Sequence, residues 1–243
     1  MFDDLAIWLN HFEYHAGRTL PVADGLPDEL TASERALIAR SIATFQLGEQ
    51  SDGAALKRTV QRFAAAHELP ALARIIELFV TEQQRHAALL LDFMRTHGIK
   101  ARKRDWTDQV FRSLRQLGGI ELCVSVLITA ELIGNVYYRA LEAATGCQRL
   151  KVLCRTLVAD ELAHVGFESQ LLLALRARRG ALGRTLARLA HRALFHATAT
   201  VVWTTHRRVL EQAGLSLESF LNACLEQYDF YLEPPDIKVG LAA

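Results

Sequence analysis

The sequence predicts an all-α fold for a chain of 243 residues. Three observations predict it. Apolar residues recur at three- and four-residue intervals over long stretches. No strand-like alternation or hairpin turn signal stands out against that pattern. Only five prolines and fourteen glycines occur, so long uninterrupted helices are allowed.

Residues 3–16 form the first expected helix, short and amphipathic, with Leu5, Trp8, Leu9 and Phe12 on one side. Pro21, Gly25 and Pro27 then break the chain. Thr31-Ala32-Ser33-Glu34 is a capping box, in which a hydroxyl and a carboxylate three residues apart satisfy the free N–H groups of a helix start. It predicts a helix running to about residue 66 through Gly48 and Gly53. Pro70 suits the first turn of the next helix, which runs to His97 and stops at Gly98. A basic loop, Lys100 to Arg104, leads to a shorter helix over about 107–117, ended by Gly118-Gly119. Further helices are expected over about 120–144, 147–179, 182–212 and 216–230, before the tail opened by Pro234-Pro235. All of this reads as one helical domain over 1–243, with a bundle at about 33–179 and additional helices at about 182–230.

Apolar residues make up 51% of the chain and the formal net charge is +1, so neither disorder nor a strongly charged partner is indicated. Cys123, Cys147, Cys154 and Cys224 form no C-x-x-C pair and read as reduced thiols in a cytoplasmic protein. The N-terminus begins Met1-Phe2-Asp3-Asp4 and does not read as a signal peptide. No stretch is expected to reach the length of a membrane span. The most apolar one, Ile120 to Val136, carries Glu121 and Glu131 and suits a buried functional helix.

The chemistry concentrates in Asp160-Glu161-Leu162-Ala163-His164. On a helix, positions i and i+3 share a face, so Glu161 and His164 can reach one metal ion together. Glu82-Gln83-Gln84-Arg85-His86 nearly repeats the motif, with Gln83 where a second Glu-x-x-His would have Glu. One Glu precedes each: Glu49 lies 34 residues before Gln83, and Glu131 lies 30 before Glu161. Taken singly, each of these residues reads as an ordinary polar group paired inside a bundle. The order of all four elements on four expected helices points to a metal site.

That order resembles the ferritin-like di-iron carboxylate superfamily, over roughly residues 33–170. The spacing is most similar to the oxidase and oxygenase branch, which includes acyl-carrier-protein desaturases and the small subunit of ribonucleotide reductase. The resemblance implies a four-helix bundle with one Glu from each of two helices and a Glu-x-x-His from each of the others. It implies that Glu49 and His86 bind one iron, that Glu131 and His164 bind the other, and that Glu161 bridges them. Position 83 would supply a second bridge, and Gln83 is neutral. A solvent bridge, a single iron, or Glu82 swinging in as substitute all remain open; the last needs a local distortion, since Glu82 lies about 100° from position 83 around the helix. The resemblance further implies that Asp160 holds His86 and Glu82 holds His164 through their outer ring nitrogens, with Arg85 balancing charge. For Asp160 and Arg85 the alternative is a solvated surface pair. Without C-x-x-C pairs, the rubredoxin-type iron site usual in rubrerythrins is ruled out.

Several neighbours share the ligand faces. Gly53 and Gly134 leave room for a substrate or reflect close helix packing. Tyr138 reads as a core residue or a redox-active neighbour. Glu168, at i+4 from His164, reads as a surface-paired side chain or an extra ligand. Arg176, Arg178, Arg179, Arg184, Arg188 and Arg192 form a basic stripe whose plainer reading is a solvated face. His191, His196 and His206 share no ligand spacing with a carboxylate and read as structural.

The expected function is an O2-dependent di-iron oxidoreductase, an oxidase or hydroxylase, with two iron ions, or one because of Gln83. Its partners would be O2, a small-molecule substrate and an electron-donor protein; a homodimer is compatible, a membrane is not expected, and nucleic acid is disfavoured. The alternative is a non-catalytic iron-binding protein or a degenerate bundle in which Gln83 has weakened the site.

Overall fold

The computed structural model describes residues 4–18, 25–50, 53–105, 113 and 118–233. They form an all-helical bundle without strands among the described residues: α1 (Leu5–Ala16), α2 (Ala32–Glu49), α3 (Ala54–Ala66), α4 (Pro70–Thr96), α5 (Ile120–Ala143), α6 (Gln148–Ala177), α7 (Ala181–Gln212) and α8 (Leu217–Leu232). The helix expected over 107–117 lies, apart from Ser113, outside the described residues.

The capping box at Thr31 starts α2. Its Glu34 also bridges to a distant turn. One carboxylate oxygen accepts the Thr31 N–H at 3.0 Å, and the other accepts the Gly146 N–H at 2.6 Å. The start of α2 is thereby tied to the turn between α5 and α6. The single helix expected up to residue 66 is divided into α2 and α3. Gly53 takes φ +62°, a left-handed conformation that ends helical propagation and that only glycine adopts without strain. A Cβ there would also lie 2.5 Å from Cγ2 of Val80, so Gly53 serves close packing. This break leaves Glu49 as the last residue of α2.

Helices α5 and α6 pair along most of their length, and α4 packs on α1, α2 and α3. The additional helices α7 and α8 lie against α5, with α7 also touching α2. Phe79, Phe93, Tyr137, Tyr138, Phe167 and Phe195 are nearly or fully buried in one continuous core. By length and hydropathy α5 could cross a membrane, contrary to the sequence expectation, yet 83% of its most apolar window is buried inside the bundle. Its apolar character therefore reflects its central position.

Most of the basic stripe is exposed, at Arg178, Arg179, Arg184 and Arg188, as the plainer reading has it, but several of its members are ion-paired. Arg192 pairs with Asp229 at 2.6 Å and Glu233 at 3.0 Å, Arg179 pairs with Glu121 at 2.6 Å, and Arg176 is buried. These side chains fasten α6, α7 and α8 to one another and to α5.

Candidate metal centre

Two consecutive residues of α4 point to different places. Glu82 turns outward toward α1 and the outer face of His164, while Gln83 faces α5 and α6. The 100° step of the helix produces this division of labour. The Gln83 amide nitrogen donates to Oε1 of Glu131 at 2.9 Å and lies 3.3 Å from Oε1 of Glu161 and from Nδ1 of His164. Position 83 thus sits among the expected ligands, and Glu82 does not take its place there.

Glu161 occupies the centre. Its Oε1 lies 3.1 Å from Nδ1 of His86 and its Oε2 lies 3.1 Å from Nδ1 of His164. The outer nitrogens of the same rings meet carboxylates crosswise: Nε2 of His86 is 3.2 Å from Asp160, and Nε2 of His164 is 3.2 Å from Glu82. Asp160 is buried, which removes the solvated surface-pair reading for it. Arg85 donates to Glu82 at 3.0 Å and to the backbone carbonyl of His15 at 3.0 Å, so it ties the outer carboxylate to α1. Arg18 adds a cation 3.7 Å from Asp160.

Two groups of donor atoms follow, each with all its atoms within 4.8 Å of one another: Glu49, His86 and Glu161 in one, and Glu131, Glu161 and His164 in the other. Glu161 belongs to both. Tyr138, buried in the core, donates to Oε1 of Glu49 at 2.8 Å and fixes that carboxylate toward the group.

The electrostatics fit a cation. Burial and the nearby charge of Glu161 push the Glu49 carboxyl up to about 7. Burial, then Glu168 and Glu161, raise Glu131 well above its ordinary value. Burial would lift Glu161 too, but the contacts with His164 and His86 hold it down at about 2. Burial opposes protonation of His86, and the bonds to Asp160 and Glu161 overcome it and raise the ring to about 9. Raised proton affinity at Glu49, Glu131, His86 and His164 offsets the buried negative charge. Oε1 of Glu131 accepts from Gln83, and the rest of that buried carboxyl lies beside Glu168.

Glu168 departs from its expected surface pairing. It is 1% exposed and adjoins Glu131, because the i+4 and i+7 steps from His164 and Glu161 carry it along the buried stripe of α6. The spacing is visible in sequence; the side on which α5 lies is not.

A cavity of about 180 Å³ adjoins the centre. Glu49, Gln83, Glu131, Glu161 and Tyr138 line one part of it, and Phe45, Val80, Ile133, Gly134, Val202 and His206 line the rest. A Cβ at Gly134 would meet nothing closer than Phe45 at 4.0 Å, so this glycine does border open space. His206 escapes sequence reasoning as a cavity residue, since α7 approaches α2 only in the folded chain. Its Nδ1 contacts Ser41 at 2.8 Å, and burial lowers the ring to about 4, leaving it neutral. Nothing in the sequence gives α1 a part in the centre either, yet Phe12 stacks on His164 with ring centroids 5.7 Å apart.

No family model, no curated protein and no solved structure matches this chain.

Proposed function

We propose that this chain is a ferritin-like di-iron carboxylate protein that uses O2 to oxidise a small, mainly apolar organic molecule. The observation that carries the reading is that Glu161 belongs to two carboxylate–histidine groups at once. Oxygen and imidazole donors suit iron that cycles between oxidation states. Glu49 with His86 and Glu131 with His164 would hold the two ions, with Glu161 between them. Bound iron would supply the electrons for O2 reduction and the oxidising power passed to the substrate.

The remaining work belongs to the chain. Asp160 and Glu82 orient the two imidazoles so that Nδ1 faces inward. Phe12 and Phe79 cover His164 and keep water from it. The cavity is of the size that accepts a single-ring molecule. Its apolar walls would hold such a substrate beside Glu49, Glu131 and Glu161, with neutral His206 as a polar contact. Turnover would require an electron donor. The four cysteines are all buried free thiols, which suits a cytoplasmic setting.

One observation favours a second reading. The Gln83 amide already satisfies Glu131 and approaches Glu161, as it would in a bundle that has given up one or both metals. Anaerobic ferrous titration of the apoprotein, followed by O2 uptake with and without a reductant, separates the two. Two irons per chain with reductant-dependent O2 uptake supports the oxidoreductase. Iron bound without such uptake favours a binding role, and no stoichiometric iron favours the degenerate bundle.

A further inference from the structure

We propose that the cavity beside the metal centre selects an apolar ring that carries a hydrogen-bond acceptor, such as a carbonyl or ether oxygen, and that Nε2–H of His206 is the donor that recognises it. This deepens the oxidoreductase reading above and rests on it for the cavity being the substrate's.

A buried relay sets the donor. The Tyr137 hydroxyl is fully buried and meets only Ser41 Oγ, at 2.8 Å, among the described residues. A buried phenol that failed to donate would strand its proton, so Tyr137 donates to Ser41. Ser41 Oγ also lies 2.8 Å from Nδ1 of His206. Ser41 has no third partner among the described residues to take its own hydrogen, so it donates to Nδ1. Nδ1 is therefore the bare nitrogen, and Nε2 carries the proton.

His206 lines the cavity, and Ser41 and Tyr137 do not. The Nδ1 edge of the ring is thus turned away from the cavity. Nε2, with no partner among the described residues, is the ring nitrogen left to it. Other polar groups of the cavity are engaged elsewhere. Thr44 donates to the Arg40 carbonyl at 3.1 Å, Gln83 to Glu131 at 2.9 Å and Tyr138 to Glu49 at 2.8 Å. Phe45 lies between the two ends, with its ring centroid 5.0 Å from that of His206 and 5.6 Å from that of Tyr138. A single ring resting on Phe45 presents one edge to His206 and the other to the metal end. A site built to donate a hydrogen bond discriminates against an analogue without the acceptor, because its buried donor is then left unpaired.

The test uses the full-length protein with isotope-labelled histidine, read by nuclear magnetic resonance, with His206 assigned through its contact with Phe45. Its Nε2 should be protonated and its Nδ1 bare; the opposite tautomer overturns the inference. Cyclohexanone and methylenecyclohexane, the same ring with and without an acceptor, are then titrated. Cyclohexanone should shift the Nε2 signal of His206, and methylenecyclohexane should not. His206→Phe should lower the affinity for cyclohexanone relative to methylenecyclohexane by about threefold to tenfold. An unchanged ratio, or no saturable binding of cyclohexanone to wild type, overturns the inference. If His206→Phe does not fold, the Nε2 signal of wild type decides: a shift specific to cyclohexanone supports the assignment and its absence overturns it. None of these measurements needs iron. Their failure leaves the metal centre standing, and failure of the iron titration removes the reaction but leaves a ligand site.

Discussion

Asp160 reaches from α6 to place Oδ2 3.2 Å from Nε2 of His86 on α4, which leaves Nδ1 of that ring facing Glu161. The contact fixes the ring's orientation and raises the basicity of the inward nitrogen. Asp160→Asn should therefore weaken metal binding by about 10- to 100-fold while leaving the helix content unchanged. Chelator competition measures the first and circular dichroism the second.

Glu161→Ala removes the one side chain common to both donor groups. Metal binding should be abolished, with little loss of helicity. Iron content unchanged in this variant would remove the basis for the assigned centre.

The Glu49 carboxyl holds a proton up to about pH 7, and the Tyr138 hydroxyl bond lowers that value from what burial alone would impose. Metal must displace this proton as well as the His86 ring proton, held up to about 9, so affinity should fall about tenfold per unit below about 9 and more steeply below about 7. Tyr138→Phe deletes the stabilising donor, and the steepening should move to higher pH. Titrations at pH 6, 7 and 8 on both proteins check the shift.

His191 offers a pH effect remote from the centre. Arg176 can only donate to its Nδ1, at 2.7 Å, so the proton sits on Nε2, which donates to the Ser125 carbonyl at 3.0 Å. Burial and the Arg176 charge lower the ring to about 3. The unfolded chain takes up a proton near 6.5 that the folded chain refuses until about 3. Stability from this group is thus full above about 6.5 and lost as pH falls toward 3, at up to about 1.4 kcal/mol per unit. Denaturant melts at pH 7 and 5 should show a shallower decline for His191→Gln than for wild type.

The two glycines near the cavity should respond oppositely. Gly134→Ala enters open space in mid-helix and should stabilise the protein by about 0.5–1 kcal/mol. Gly53→Ala meets Val80 and a positive φ and should destabilise it. Thermal melts of the two variants distinguish the effects.

Much of this molecule is legible before folding. Period, capping and breakers are local, so the all-α class, the start of α2 at Thr31 and the start of α4 at Pro70 can be read directly. The spacing of Glu49, Gln83, His86, Glu131, Glu161 and His164 is visible for the same reason. Gly53 marks a weak point in the expected helix, but that it takes a positive φ against Val80, 27 residues on, shows only in the folded chain.

Local spacing settles which residues share a helical face, a matter of 3.6 residues per turn. Which faces meet is settled only when the helices pack. Packing of α5 on α6 buries Glu168 against Glu131, α1 lays Phe12 on His164, and α7 brings His206 to the cavity. Helical register follows from bonds between near neighbours. The meeting of faces follows from apolar surface far apart in the chain leaving water together, and no local spacing encodes it.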